Sequence, residues 1–251
     1  MRVSCISIVA VSNPEPLMIA NNKCRLLDFL KQNGLPCADY YAVQNKDELR
    51  EKAEALGYPL RRVCVKATEG SGSRGFRILD ENTSRLKMFL YEKPSAGIIK
   101  LDELLEILNE AEEFPNLLVM EYLPGTEYSV DLLADNGKML VGCCRKSLRM
   151  ENSIMLEAEI VYAPAVLEYC AKITALLNLD GNIGFDLKER SDGTPVVMEC
   201  NPRLTAGVPF FALAGVNFPY LCIKKTLGEP IPSINPEYGT VIKRRWLEMA
   251  T

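Results

Sequence analysis

Hydrophobic positions recur at helical spacing through the first half of the chain and alternate in the manner of strands through much of the second. Behind the cap signal Asn21-Asn22, the apolar stripe Leu26, Leu27 and Leu30 predicts a helix that Gly34 and Pro36 close. A second helix starts at the cap-like pair Asn45 and Glu48 and stops at Gly57-Tyr58-Pro59. Val63-Cys64-Val65-Lys66 and Phe76-Arg77-Ile78-Leu79 read as strands, and Leu101, Leu104, Leu105 and Leu108 fall on one face of a further helix. From Leu117 the period shortens. Segments 117–122, 128–134 and 139–145 read as successive strands, with Asp135-Asn136-Gly137 as a hairpin turn. Pro164 to Leu177 is a helix with Val166, Cys170, Ile173 and Leu177 on one side. A hairpin follows, Asn182 to Lys188 and Pro195 to Asn201 around Asp192-Gly193, and a last helix near Asn217 to Leu227 ends at Gly228. The pattern predicts an α+β fold built on antiparallel hairpins, in two lobes meeting near Leu123.

Two places on this framework carry chemistry. Gly70-Ser71-Gly72-Ser73-Arg74-Gly75 satisfies G-x-G-x-x-G, but a strand follows it where a dinucleotide site needs a helix. A Walker loop needs Gly-Lys-Ser/Thr, which is absent. The loop therefore reads as a hairpin flap whose bare amides fold over phosphates, with Lys66 and Arg74 beside it. The second place is the hairpin holding Asp186, Glu199, Asn201 and Arg203. Side chains alternate along a strand, so Glu199 and Asn201 share a face while Cys200 points the other way. The turn at Asp192-Gly193 folds Asp186 back beside Glu199. Two carboxylates and an amide oxygen are hard donors suited to Mg²⁺, an ion that bridges nucleotide phosphates. Arg203, just beyond, is placed to neutralise a phosphoryl group in transfer.

Composition removes other chemistries. The chain has no histidine, which excludes Ser-His-Asp and Cys-His nucleophiles, His-based zinc sites and imidazole bases. A kinase reading fails for want of an H-R-D loop and a D-F-G motif. The net charge of −4 disfavours a nucleic-acid partner, and no apolar run is long enough for a membrane span. Nine cysteines without a CxxC pair read as reduced, buried small hydrophobes, with the cytoplasm as the expected location. The short apolar run Arg2 to Val11 reads as a buried strand.

In order and spacing these residues resemble the ATP-grasp superfamily, which includes carbamoyl-phosphate synthase large chains, biotin carboxylase and D-alanine–D-alanine ligase. The resemblance runs from Asn22 through nearly the whole chain. It implies a nucleotide held between an N-terminal lobe (21–122) and a C-terminal lobe (123–251), with residues 1–20 as the end of a preceding α/β domain. It implies that Lys23 and Lys66 bind nucleotide phosphate beneath the Gly70, Ser71, Gly72, Ser73 and Gly75 flap. The backbone around Glu121, Tyr122 and Leu123 would meet the adenine edge, and Glu127 would hold the ribose. Asp186, Glu199 and Asn201 match the metal ligands, for Mg²⁺ or Mn²⁺. Arg203 matches the catalytic arginine, with Lys66 as its companion.

The chain departs from the family pattern in having Asn22 where Asp is frequent and Ala67 where Pro commonly follows the lysine. The resemblance implies an ATP- and Mg²⁺-dependent ligase that activates a small-molecule carboxylate as an acyl phosphate for attack by an amine or similar nucleophile. Two rival readings stay open: a carbamoyl-phosphate-synthase-like subunit using bicarbonate, and an ATP-binding subunit without turnover. A partner subunit or a homodimer mate completing the acceptor site is a further expectation. Acceptor contacts are expected from Leu204-Thr205-Ala206-Gly207 and from Arg145 to Ile154. Arg145 and Lys146 are open between reaching phosphates and bridging to a neighbouring strand.

Overall fold

The computed structural model describes residues 10–68, 75–91, 97–151 and 154–245. Gly70, Ser71, Gly72, Ser73 and Arg74 of the expected flap lie outside the described residues, as does most of the expected strand at Arg2 to Val11. The described part opens with α1 (Pro14–Ala20) and α2 (Lys23–Gln32). The segment Asn13-Pro14-Glu15-Pro16 follows the apolar run that ends at Val11. In the structure these residues start α1, because proline in a first helical turn gives up an N–H that has no intrahelical acceptor. The Asn22 side chain caps α2 by accepting a hydrogen bond from the Arg25 N–H at 3.0 Å.

The first half builds a five-stranded sheet. Its elements are β1 (Tyr40–Val43), α3 (Lys46–Ala55), β2 (Val63–Ala67), β3 (Arg77–Leu79), α4 (Arg85–Tyr91), β4 (Ile98–Ile99), α5 (Leu101–Ile107) and β5 (Leu117–Glu121). The strand order is β1-β5-β2-β3-β4, antiparallel except for the β3–β4 pair. A reciprocal cap starts α3: the Glu48 N–H donates to Asn45 Oδ1 (2.8 Å), and the Gln44 N–H donates to Glu48 Oε2 (2.9 Å). One face of the sheet packs Val63, Val65, Leu117 and Val119 against Leu49 and Ala53 of α3 and Leu101 and Leu104 of α5.

The second half contributes β6 (Glu127–Asp135), β7 (Lys138–Glu151), β8 (Ile154–Val161), α6 (Pro164–Leu176), β9 (Gly181–Glu189), β10 (Pro195–Asn201), α7 (Val208–Leu213), α8 (Phe218–Thr226) and β11 (Val241–Lys243). These strands form an antiparallel six-stranded sheet in the order β10-β9-β6-β7-β8-β11. The expected turn between β6 and β7 is present, with Asn136 at φ 44° and Gly137 at φ 83°, the left-handed pair of a tight hairpin. β7 runs well beyond its expected end and β8 was not read at all. Past Lys146, β7 is mostly exposed and pairs with β8 across register shifts, whereas β8 buries Met155, Ala158 and Ile160.

Alternation gives the six-stranded sheet two different faces. Val130, Leu132, Cys144, Phe185 and Leu187 pack against α1, α2 and α6, whereas Leu133, Cys143 and Ile160 pack against α7 and α8. Part of the second face is left uncovered by helix, and there it looks across at Cys64 and Met120 on the second face of the five-stranded sheet.

Candidate functional site

The space between the two sheets is a cleft of about 680 Å³. Lys23, Lys66, Glu121, Tyr122, Leu123, Glu127, Asp186, Glu199, Asn201 and Arg203 all line it. Every described residue of the expected site therefore borders one cavity, apart from Gly75 at the exposed end of the flap.

The floor is a row running straight across four strands. Glu199 on β10 is opposite Asp186 on β9, Asp186 is opposite Ser129 on β6, and Ser129 is opposite Arg145 on β7. Strands are spaced roughly 4.8 Å apart, so the row places the two acidic residues at one end and the Arg145 backbone about 10 Å from that of Asp186 at the other. A β-bulge at Met198 sets the row: Val197 pairs with Leu187, but Glu199 pairs with Asp186. Strict alternation would put Val197, Glu199 and Asn201 on the same face. The extra residue sends Val197 and Cys200 to the core and frees Glu199 and Asn201 for the cleft.

The Ser129 hydroxyl donates to Asp186 Oδ1 at 2.8 Å, and Asn201 Nδ2 approaches Asp186 Oδ2 at 3.5 Å. Arg203 Nη2 donates to Asn201 Oδ1 at 3.1 Å, which ties the arginine to the carboxylate hairpin. Burial pushes the Asp186 carboxyl above its ordinary value, while the Ser129 hydrogen bond and the positive charge of Arg145 pull it down. A divalent cation is the partner this donor set fits: two carboxylates and an amide on adjacent positions, one of the acids disfavoured as a bare anion. Among the described residues no group of three His, Cys, Asp or Glu gathers as a metal site, and here the third donor is the Asn201 amide.

Across the cleft, Lys66 at the end of β2 lies over the Phe76 ring at 5.6 Å. Burial holds its ammonium below the ordinary lysine value; the nearby Cys64 counters this and the Lys23 charge adds to it. Glu127 is raised by burial, with Lys188 opposite it on β9 acting the other way. Lys188 also lies over the Tyr122 ring at 5.8 Å, and Arg62 approaches the same ring at 5.7 Å. The Glu121 side chain has a separate duty. Its carboxylate meets Arg190 Nη2 at 2.6 Å and accepts from the Asp39 N–H at 3.1 Å, fastening the β9–β10 arm to the edge of the first sheet. The Glu121 N–H is committed to the Asp39 carbonyl at 2.9 Å.

The pair left open in the sequence divides cleanly. Lys146 points away and pairs with Glu159 at 3.3 Å, whereas Arg145 lines the cleft. Ser129, Lys188 and Arg244 also border the cavity and were not singled out from sequence. Ser129 and Lys188 are two residues from Glu127 and Asp186 respectively, so strand alternation could have found them. Arg244 follows β11 and arrives only through tertiary pairing with β8.

Residues 113–250, more than half of the chain, match the family described as ATP-grasp in the biosynthetic pathway with Ter operon. The chain belongs to the ATP-grasp family. This ATP-grasp chain is 25% identical over 254 residues to the C-terminal section of the carbamoyl phosphate synthase large chain of Methanocaldococcus jannaschii, covering 94% of this chain and 37% of that protein. It is 24% identical over 242 residues to the large chain from Methanoregula boonei, covering 92% of this chain and 21% of that one. It thus spans little more than a third of the first relative and about a fifth of the second.

Among solved structures, the ATP-grasp chain superposes on N5-carboxyaminoimidazole ribonucleotide synthetase in its ADP complex with a TM-score of 0.69 at 22% identity, covering 90% of this chain and 56% of that one. It superposes on the biotin carboxylase domain of Hydrogenobacter thermophilus 2-oxoglutarate carboxylase, solved with MgADP and bicarbonate, with a TM-score of 0.67 at 19% identity, covering 91% and 50%. These superpositions establish the ATP-grasp fold, α+β with two mainly antiparallel sheets.

Proposed function

We propose that the chain is the nucleotide-binding core of an ATP-dependent ligase that activates a carboxylate as an acyl phosphate for attack by an amine or similar nucleophile. The observation that carries this reading is the convergence of Lys23, Lys66, Asp186, Glu199, Asn201 and Arg203 on one cleft between two sheets. Residues 21–122 and 123–251 act as the two lobes, with α2 of the first packed on the sheet of the second, and ATP lies between them. Its base sits toward Tyr122 and Leu123, its ribose is held by Glu127, and its phosphates are held by Lys23, Lys66 and the amides of the 70–75 flap.

Asp186, Glu199 and Asn201 would hold Mg²⁺, or Mn²⁺, which when bound supplies positive charge at the β- and γ-phosphates. The protein's own part is positioning and charge. Lys66 fixes the phosphate chain, and Arg203, oriented by Asn201, faces the group in transfer and offsets its developing charge. A carboxylate oxygen of the acceptor bonds to the γ-phosphorus as the bond to the β–γ bridging oxygen breaks, releasing ADP. The amine then takes the acyl group and phosphate leaves. No step needs an imidazole, consistent with a chain without histidine. Among the described residues no helix is long and apolar enough to cross a membrane, and we place this chemistry in the cytoplasm.

A bicarbonate-using reading draws on the similarity to carbamoyl phosphate synthase along 94% of this chain. Both readings share the nucleotide site, and the acceptor distinguishes them.

The test is thermal unfolding with and without Mg-ATP for the wild type and Glu199→Ala. At about 100-fold excess over Kd, binding adds roughly 2.7 kcal/mol, or about 5–10 °C in Tm for a chain of this size. A Mg²⁺-dependent shift that disappears in Glu199→Ala is expected. An unchanged Tm at saturating nucleotide would refute the reading.

A further inference from the structure

Arg145, Arg203 and Arg244 border the same cleft. Among the described residues none of the three forms an ion pair with a carboxylate, although a dozen such pairs occur elsewhere on the molecule. Arg203 is turned toward Asn201 and the carboxylate hairpin. The other two are gathered around Phe210. The Arg145 guanidinium lies over its ring at 5.0 Å and that of Arg244 at 5.3 Å. Arg244 Nη2 donates to the Ala206 carbonyl (3.1 Å) and Arg145 Nη1 to the Gly207 carbonyl (3.2 Å). Gly207 permits this, since a Cβ there would collide with the Arg145 guanidinium.

Arg145 is 6% exposed, and its Nε has no hydrogen-bond partner. Asp131 and Asp186 are near enough to offset part of its charge, but neither forms an ion pair with it: Asp131 accepts from the Thr205 hydroxyl at 3.0 and 2.9 Å, and Asp186 accepts from Ser129 at 2.8 Å. Two guanidiniums on one ring, without an acid between them, repel each other unless an anion joins them. A guanidinium stacked on an aromatic face presents its N–H edge, which matches a planar carboxylate better than a point charge would. Met155, in the same core cluster as Phe210, lines the cleft together with Met150, its partner across the strands, and Ile154.

We propose that Arg145 and Arg244 hold the carboxylate of the acceptor, and that Phe210, Met150, Ile154 and Met155 contact an apolar body, so the substrate class is a monocarboxylic acid with a hydrocarbon part. This assignment rests on the ligase reading above and specifies its acceptor. It also agrees with the row on the sheet, whose carboxylate end would face the nucleotide phosphates and whose Arg145 end would face the acceptor.

The experiment is a calorimetric titration of the Mg-ADP-saturated protein with acetate, butyrate, hexanoate and succinate. Affinity is expected to rise about two- to fourfold for each added methylene, the upper figure corresponding to complete burial. Succinate, with a second charge against the apolar wall, is expected to bind at least tenfold more weakly than butyrate. Arg145→Met is expected to lose at least tenfold in hexanoate affinity while Mg-ADP affinity stays within twofold. Should that variant fail to fold, Arg244→Met, at a half-exposed position, is expected to show the same selective loss. A flat series, a preference for succinate, or acid binding indifferent to both substitutions would overturn the proposal. If Mg-ADP binds and no acid does, the acceptor assignment alone falls; if Mg-ADP does not bind, the ligase reading falls and takes this assignment with it.

Discussion

Gly184 is the position where a single methyl group tests how the loop carrying Arg203 is seated. It lies on β9, opposite Asp131 of β6 and Asn201 of β10, and is buried. A Cβ at this position would overlap Thr205 Cγ2 and stand 3.2 Å from Asp131 Oδ1. Thr205 must then move, and its hydroxyl leaves the buried Asp131 carboxylate that it contacts at 3.0 and 2.9 Å. Overpacking costs about 1–3 kcal/mol, and a buried acceptor losing its donor costs about the same again. Because the two share a single displacement, the expected loss for Gly184→Ala is about 2–4 kcal/mol, or roughly 5–15 °C in Tm. Differential scanning calorimetry measures it, and nucleotide titration reports whether Arg203 has moved with Thr205. The decisive variant is Gly184→Ala combined with Thr205→Ser, which removes Cγ2 and keeps the hydroxyl. That pair is expected to recover at least half of the lost stability. A double variant no more stable than Gly184→Ala would refute the account, since the steric conflict is assigned to that one methyl group.

Asp131 is pushed up to about 6 by burial, against the opposing charge of Arg145. Its folded value exceeds the unfolded one, so the folded state binds the extra proton and stability attributable to this group falls as pH rises toward 6 and then levels. Asp131→Asn is therefore expected to compare most favourably with the wild type at pH 7–8, with the advantage shrinking by pH 4–5; urea melts across that range check it, and a pH-independent difference would contradict it. Leu30 of α2 is fully buried against the six-stranded sheet, and Leu30→Ala is expected to cost about 2–5 kcal/mol in the same melts. Arg190 joins Glu121 and also donates to the Cys37 carbonyl at 2.7 Å. Because this ion pair is part-exposed, Arg190→Met is expected to cost only about 1 kcal/mol, less at high salt, and a loss insensitive to salt would argue against an electrostatic origin.

Much of the scaffold was legible from local pattern. Caps at Asn22 and Asn45, the Asn136-Gly137 turn and the stripe on α6 are short-range devices whose energetics lie within a few neighbouring residues, so the chain announces them. The composition excluded imidazole chemistry outright, and the Asp186, Glu199, Asn201 and Arg203 set was readable because a tight hairpin turns sequence spacing into distance. Other features depended on partners far away in the chain. The bulge at Met198, which directs Glu199 and Asn201 into the cleft, exists only as a mismatch of register between β10 and β9. The far half of β7 is mostly exposed and is held by its backbone pairing with β8, and the alternation that buries Ala158 and Ile160 of β8 is too short to announce a strand without the helices it packs against. Arg145 and Lys146 are equivalent as letters, yet adjacent residues on a strand face opposite ways, and only the position of the sheet beneath α7 sent one to the cleft and the other to Glu159. Arg244 joined them across the chain because β11 pairs with β8. Local chemistry thus determined which groups were available, and long-range pairing decided which of them share a cavity.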